Sequence, residues 1–594
     1  MFKKVLIANR GEIAIRVIRA CEELGIDTVA VYSEADRDAL HVKRATEAYL
    51  IGPAPAAESY LVVDKILEVI EQSGADAVHP GYGFLAENAE FARALEERDI
   101  TFIGPPASAI DAMGSKTKAR ELMAAAGVPI VPGTVEPVPT IEEARKIAQD
   151  EIGYPVAVKA AAGGGGKGFR VALTADDLEE AFEGAAREGE KFFNDGTVYL
   201  ERYLPDPRHV EVQVLADKQG NVIHLGERDC SIQRRHQKLI EEAPAPAVDE
   251  ALREHIGKVA TDAAKAVGYH SAGTIEGMLQ DGEYFFLEMN TRVQVEHCVT
   301  EMVTGIDIVR EQILIAAGEE LKLKQEDVVM TGHAIECRIN AENAAKNFAP
   351  APGMITGYRE PTGPGVRVDS GIGPNSEISP MYDPMVAKLI VWDENREMAT
   401  RRMLRALGEY EIGNLTTLIP FHDAILRTDQ WANAETCRDL VEDKDWLKST
   451  APAPAEVAAD ADGEEDAPKI TQDYMVEVSG RRFDVKVVGP AFGGGGGAAA
   501  APAAKKATRS KRSGGGGGGG GDTLASPIQG TVFKVIAEAG QTVEEGALLC
   551  IIEAMKMENE ITAHKAGVIK ELPIEVGGAV NNGDTIAVIT SPEG

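Results

Sequence analysis

Positive charge is scarce in this sequence. Its 594 residues hold 61 Lys plus Arg against 95 Asp plus Glu, a formal net charge of −34. A surface this acidic repels phosphate backbones and anionic lipid, so nucleic acid and an anionic membrane are disfavoured as partners. Such self-repulsion is tolerated where salt screens it, and composition therefore points to a salt-rich cytoplasm and a halophilic source. Long apolar runs are also missing. None reaches the roughly 18 residues that span a bilayer. The opening "MFKKVLIANRGE" breaks into Arg-Gly-Glu after a short apolar run and reads as a first strand rather than a signal peptide. Cysteine is sparse: Cys21, Cys230, Cys298, Cys337, Cys437 and Cys550 are scattered, with no CxxC pair. That argues against a zinc site or disulfide framework and fits a reducing cytoplasm. The βαβ opening lacks GxGxxG, and the glycine loop further on lacks the Lys of a Walker A motif, so neither a dinucleotide fold nor a P-loop is supported.

What is present divides the chain. Length alone suggests about four domains. Residues 1–446 read as continuous α/β sequence: "KVLIAN" is a strand, "GEIAIRVIRACEELG" an amphipathic helix ended by Gly25, and "DTVAVYS" a second strand. Residues 447–472 are a Pro/Ala-rich acidic linker, 473–489 a small hairpin, and 490–523 a Gly-rich linker that includes the tether Gly514 to Gly521. Residues 524–594 form a compact last domain with an internal repeat. Gly530, Gly540, Val543 and Gly546 recur 37 residues later as Gly567, Gly577, Val580 and Gly583. Near the join of the halves, "EAMKMENEI" presents Lys556 between Met555 and Met557. This segment resembles the biotin attachment site of biotin carboxyl carrier domains. The resemblance implies an all-β biotinyl domain, a barrel-sandwich hybrid, with biotin amide-linked to Lys556 by a biotin protein ligase.

A biotin carrier needs an enzyme that carboxylates it. Bicarbonate is a poor electrophile and the ureido nitrogen a poor nucleophile, so joining them calls for ATP, a metal and an anion site. "VAVKAAAGGGGKGFR" supplies a phosphate cradle: Lys159 ends an apolar strand, and Gly163, Gly164, Gly165, Gly166 and Gly168 can turn backbone N–H groups toward phosphates. Lys116 in "MGSKTKAR" is a second candidate. "FFLEMNTRVQVEH", written as one extended segment, puts Glu288, Asn290, Arg292, Gln294 and Glu296 on one face and Phe285, Leu287, Met289, Val293 and Val295 in the core. Glu288 and Asn290 are hard oxygen ligands for Mg²⁺, and Glu276 can add a carboxylate from a neighbouring strand. Arg292 can bind a planar oxyanion, and Glu296 is a candidate general base. In "ECRIN", Glu336, Arg338 and Asn340 share a face. "ERDCSIQRRHQK" gathers positive charge, including Arg228 and Lys238, that suits an anionic substrate.

Together with "ANRGEIA", "HPGYGFLAEN", "RHVEVQVL" and "ECRINAE", these segments resemble the biotin carboxylase members of the ATP-grasp superfamily, over essentially all of 1–446. The resemblance implies an α/β (α+β) ATP-grasp carboxylase: about 1–115 an N-terminal α/β part, 116–203 the ATP-grasp start and lid, and 204–446 the core and C-terminal part. It implies that Lys116, Lys159, Glu201, Leu204, His209, Gln233, His236 and the glycine loop bind ATP. Glu276, Glu288 and Asn290 would hold Mg²⁺ or Mn²⁺, and Lys238, Arg292, Gln294 and the Val295 backbone would hold bicarbonate. Glu296 would take the bicarbonate proton, Arg338 would stabilise the biotin enolate, and Tyr82 would contact the biotin ring. Lys167, Arg202 and Cys298 depart from common family residues without removing a needed charge. No carboxyltransferase segment is visible, so the chain reads as a cytoplasmic α-type subunit with a dimeric carboxylase part. It would pass its carboxyl group to a separate β-type carboxyltransferase, with acetyl-CoA or propionyl-CoA as the expected acceptor and a two-component pyruvate carboxylase as the alternative.

Overall fold

The computed structural model describes residues 1–594 except 135, 161–168, 194–195, 236, 452–469, 479–480, 490–521, 527–529, 555–556, 581–582 and 591–594. Lys556, His236, Lys167 and the five glycines named for the phosphate cradle lie outside the described residues, and only the backbone of Lys116 is described. Contacts group the chain into two units, Met1–Ala451 with Ala525–Gly594, and Pro452–Leu524.

The N-terminal segment builds a parallel five-stranded sheet in the order Glu47–Gly52, Asp27–Ser33, Lys4–Ile7, Ala77–His79, Thr101–Phe102. Helix Gly11–Glu23 follows the first strand and buries Ile13, Ile15, Val17 and Ile18. Gly25 then adopts φ +71°, a left-handed conformation that ends the helix. Residues 141–202 make a smaller lobe, in which Val156–Ala160 pairs antiparallel with Phe169–Ala172 on one side and Val198–Arg202 on the other. Val156, Val158, Leu178, Val198 and Leu200 give this lobe a core of its own.

The functional side chains ride on an eight-stranded antiparallel sheet. Its order is Glu283–Asn290, Ser271–Gln280, Arg208–Ala216, Val222–Arg234, Gln237–Ala243, His333–Asn340, Met385–Asp393, Val366–Ser370. The central strand RHVEVQVLA explains how the sheet is used. Val210, Val212, Val214 and Ala216 pack with Ile256, Val259 and Ala260 of helix Glu250–Ala266. His209, Glu211 and Gln213 take the opposite face and are nevertheless buried. A strand polar on one side and buried on both must place its polar side inside a satisfied site.

Strand Ile470–Val478 pairs antiparallel with Arg481–Gly489. In the C-terminal domain the two repeat halves interlock. Thr542–Val543 of the first half pairs with Gly567–Glu571 of the second, and Ala579–Val580 of the second pairs with Gly530–Val535 of the first. The 37-residue repeat extends to backbone conformation: Gly540 and Gly577 adopt φ +90° and +85° at equivalent turns. Among the described residues no helix is long and apolar enough to cross a membrane.

Candidate active site

Lys238, on strand Gln237–Ala243, is the hub. Its Nζ donates to Glu211 Oε2 at 2.5 Å, Glu296 Oε1 at 2.6 Å and Glu276 Oε1 at 2.9 Å. Burial opposes the ammonium charge, but the attraction of Glu211 and Glu296 outweighs it and raises the lysine well above its ordinary value. Burial likewise opposes ionisation of Glu296, yet Lys238, Arg338 and Arg228 together hold its carboxyl well below the usual range. Arg338 reaches Glu296 Oε2 with Nη2 at 2.9 Å and Glu241 Oε1 with Nε at 2.6 Å.

Glu276 Oε1 also accepts from Asn290 Nδ2 at 2.8 Å and from Gln294 Nε2 at 2.6 Å. Its Oε2 lies 2.9 Å from His209 Nε2. Glu276 and Glu288 face each other directly across the antiparallel pair Ser271–Gln280 and Glu283–Asn290. Two carboxylates in opposite register repel, and a cation between them relieves that repulsion. With Asn290 beside them, the donor set is hard oxygen and suits Mg²⁺ better than a softer metal.

The extended segment is shorter than the sequence predicts. The strand ends at Asn290, and Glu296 caps helix His297–Thr304 with φ −81° and ψ 7°. Arg292, Gln294 and Glu296 therefore do not continue the ladder of Glu288 and Asn290; the chain turns and brings them back over it. Arg292 donates to Asn290 Oδ1 at 2.8 Å and to Glu87 Oε2 at 3.0 Å. Leu287, expected in the core, is 40% exposed. A register shift opposite Glu276 and Gly277 breaks the alternation there, so Phe285 and Phe286 are both buried. The Val295 carbonyl, half-buried, accepts from Lys388 Nζ at 2.9 Å.

The other expected residues each have their own neighbours. Lys159 pairs with Glu201 in the smaller lobe, and Arg120 reaches the same carboxylate at 3.2 Å. Leu204, half-buried, follows that lobe's last strand. Gln233 is the cross-strand neighbour of Lys238. Tyr82 donates to Glu12, whose carboxylate lies 3.3 Å from Lys388. Glu211 and Glu87 are partners to which the sequence pattern gives no place in the site, and Arg228, expected among the charges offered to an anionic substrate, serves another end. Arg228 is not open to an anion: fully buried, it donates to Glu211 Oε1 at 2.7 Å, Gln213 Oε1 at 2.7 Å and Gln294 Oε1 at 2.8 Å. The period-two pattern of "RHVEVQVL" was the available signal for Glu211, since it shares a face with His209.

Family models match in chain order: "Biotin carboxylase, N-terminal domain" over 1–110, "Carbamoyl-phosphate synthase L chain, ATP binding domain" over 115–324, "Biotin carboxylase C-terminal domain" over 336–443, and "Biotin-requiring enzyme" over 522–589. The biotin-dependent acyl-coenzyme A carboxylase alpha3 subunit of Mycobacterium leprae is 46% identical over 593 residues, 99% of this chain and 98% of that protein. The chain belongs to the biotin carboxylase family. It joins an ATP-dependent biotin carboxylase to a biotin carrier domain, and its cofactors are biotin, ATP and Mg²⁺. A pyruvate carboxylase subunit of Methanothermobacter thermautotrophicus is 56% identical over 443 residues, 75% of this biotin carboxylase and 90% of that protein. Among solved structures, the biotin carboxylase domain dimer of the Hydrogenobacter thermophilus 2-oxoglutarate carboxylase, in complex with MgADP, ADP and bicarbonate, superposes with a TM-score of 0.67 at 51% identity. It covers 75% of this chain and 99% of that one.

Proposed function

We propose that this biotin carboxylase carboxylates biotin carried on its own Lys556, after attachment there by a biotin protein ligase, and passes the carboxyl group to a separate β-type carboxyltransferase acting on an acyl-CoA. The observation that carries the acyl-CoA reading is length. The Mycobacterium leprae acyl-CoA carboxylase subunit matches 99% of the chain, carrier included, whereas the pyruvate carboxylase subunit leaves a quarter of it unmatched. A pyruvate acceptor is the second reading, favoured by the higher identity, 56%, within the carboxylase part.

In this proposal Glu296 takes the proton of bicarbonate, whose oxygen then attacks the γ-phosphate of ATP to give ADP and carboxyphosphate. At rest Glu296 is a weak base, because Lys238 and Arg338 hold it as a carboxylate. An arriving anion competes for those two cations, and its binding raises the basicity of Glu296 where the proton must be taken. Lys238 and Arg292 stabilise the negative charge of the acyl phosphate oxygens in a site where charge is weakly screened. Glu276, Glu288 and Asn290 would hold Mg²⁺, which when bound neutralises the ATP phosphates. Lys116, Lys159, Glu201, Leu204, His209, Gln233 and His236 are assigned to ATP, and Gln294 and Val295 to bicarbonate. Arg338 stabilises negative charge developing on the biotin ring oxygen, and Tyr82 borders the ring. The carboxylase part is proposed to dimerise within a hetero-oligomer.

The test is avidin capture of the native complex, followed by bicarbonate-dependent ADP release with acetyl-CoA, propionyl-CoA or pyruvate as acceptor. Stimulation by a CoA thioester supports the reading. Stimulation by pyruvate alone moves the chain to the pyruvate carboxylases.

A further inference from the structure

The mechanism above leaves two buried carboxyls unused. Glu241 on Gln237–Ala243 and Glu336 on His333–Asn340 are opposite each other in antiparallel register. Cross-strand neighbours stand about 4.5–5.5 Å apart at Cβ and point to the same face. Neither residue is exposed at all. Glu241 Oε1 accepts from Arg338 at 2.6 Å, while its Oε2 is buried without a hydrogen-bond partner. Glu336 has neither oxygen hydrogen-bonded.

The surrounding charges do not accommodate both as anions. Arg338, two residues along from Glu336, is divided between Glu241 and Glu296. Lys388, across from Arg338 on Met385–Asp393, is held by the Val295 carbonyl at 2.9 Å and Cys298 Sγ at 3.0 Å, with Glu12 at 3.3 Å. The groups whose fields reach Glu336 are thus Lys388, Glu241, Arg338 and Glu296, with the thiols of Cys298 and Cys337 beside them. Three carboxylates around one guanidinium, away from water, favour a proton on the one that receives no donor.

We propose that Glu241 and Glu336 together hold a single proton beneath Arg338, with Glu336 the neutral partner, and that this acid pair is a positioning element of the carboxylation site. Burial raises both carboxyls; repulsion from Glu296 adds to it at Glu241, and repulsion from Glu241 and Glu296 adds to it at Glu336, which agrees with the geometry. With one proton in the pair, Arg338 faces one carboxylate through Nε and one through Nη2 and stays aimed between them. Loss of that proton adds a negative charge beside Arg338. The added charge raises the proton affinity of Glu296 and opposes the negative charge that Arg338 is assigned to stabilise on biotin. The inference rests on that assignment of Arg338.

The test uses the full-length protein and free biotin, so that it does not depend on the acyl acceptor. Infrared difference spectra between neutral and alkaline pH are expected to show the carbonyl stretch of one protonated carboxylic acid, and Glu336→Gln is expected to remove it. In bicarbonate-dependent ADP release, Glu336→Gln is neutral at every pH and should carry the alkaline limb of kcat upward by on the order of one pH unit, roughly tenfold in activity at the far edge. Absence of the band at neutral pH, its persistence in Glu336→Gln, or superimposable pH profiles would each overturn the proposal. The wild-type band decides the proton's existence even if the variant does not fold. Full activity in Arg338→Gln would instead remove the role given to Arg338 and leave the band in place, so the two failures are separable.

Discussion

Lys238 Nζ stands 2.6 Å from Glu296 Oε1, and the same ammonium holds Glu211 and Glu276. One cation therefore spaces three buried carboxylates that belong to different strands and to the turn before a helix. The arrangement is suited to exchange: an incoming anion can take over part of the lysine, and the carboxylates then feel one another. Lys238 is thus the fastener of the resting site and, in the proposed mechanism, the group that makes Glu296 responsive to substrate.

Lys238→Gln should lower kcat for bicarbonate-dependent ADP release by on the order of 10²-fold or more. It should also destabilise the fold, since three buried carboxylates lose their common partner. Glu296→Gln keeps the shape of the site and removes only the proton acceptor. Its expected loss is about 10²–10⁴-fold, with nucleotide binding retained. Steady-state kinetics beside a nucleotide titration separate the two, and a Glu296→Gln enzyme of near-normal rate would exclude the base assignment.

Arg228 makes a sharper stability prediction. Its guanidinium is fully buried and satisfied by Glu211, Gln213, Gln294, Thr300 and Thr274. Arg228→Met strands Glu211 beside Lys238 alone and should cost about 3–5 kcal/mol in urea unfolding. A second change, Glu211→Gln, removes the stranded charge and should recover part of that loss.

How far the site was legible can be followed along single segments. Period two in "ECRIN" turns Ile335, Cys337 and Ile339 away from Glu336, Arg338 and Asn340, and all three pack in the core because the strand stays extended over them. The same rule failed past Asn290, where "TRVQVEH" alternates just as well but turns toward a helix. Alternation reports which side chains prefer water and not whether the backbone stays extended, and five polar residues can converge as easily from a turn as from a ladder. Arg228 was legible as charge but not as buried. In "ERDCSIQRRHQK" nothing local distinguishes a guanidinium offered to substrate from one locked to Glu211, 17 residues upstream. Glu87, which holds Arg292, comes from the turn before helix Ala89–Glu96, over 200 residues away in sequence. The repeat of the last domain was legible because glycines at forced positive φ cannot drift: Gly546 and Gly583 adopt +85° and +93°.

Acid should unfold the carboxylase part steeply. Burial opposes charge on Glu301, but His297, Arg16 and Arg367 overcome it and bring its carboxyl down to about 2. A carboxyl depressed in the folded state contributes stability that is full above its unfolded value near 4.3 and is lost as pH falls through the folded value. Glu276, Glu296 and Asp369 are depressed too and act in the same direction. His79 and His297, which burial lowers to about 3, add to the loss, because the unfolded chain takes up their protons first. The raised carboxyls, among them Glu12, Glu241 and Glu336, have the opposite sign, but their contribution is complete once the unfolded carboxyls protonate. Below about pH 4.3 every remaining contribution is therefore destabilising. Urea unfolding at stepped pH should show the fall there, and Glu301→Gln should be weaker at neutral pH yet lose about 3 kcal/mol less across the acid window.

Lys556→Ala separates the two halves of the chain's chemistry. The carboxylase residues lie within 1–446, so free biotin should still stimulate bicarbonate-dependent ADP release in this variant. Avidin capture should vanish, and with it the ADP release that depends on a carboxyl acceptor, because no biotin remains to carry the group to the carboxyltransferase. If the variant kept its acceptor-dependent rate, biotin would have to be attached at another residue. If free biotin failed to stimulate either protein while ATP still bound, the carboxylase would require its substrate presented on the carrier domain. The "EAMKMENEI" segment would then be recognised as protein as well as through the biotin it bears. Adding the biotinylated carrier domain, residues 524–594, in trans to the Lys556→Ala chain would restore the rate in that case.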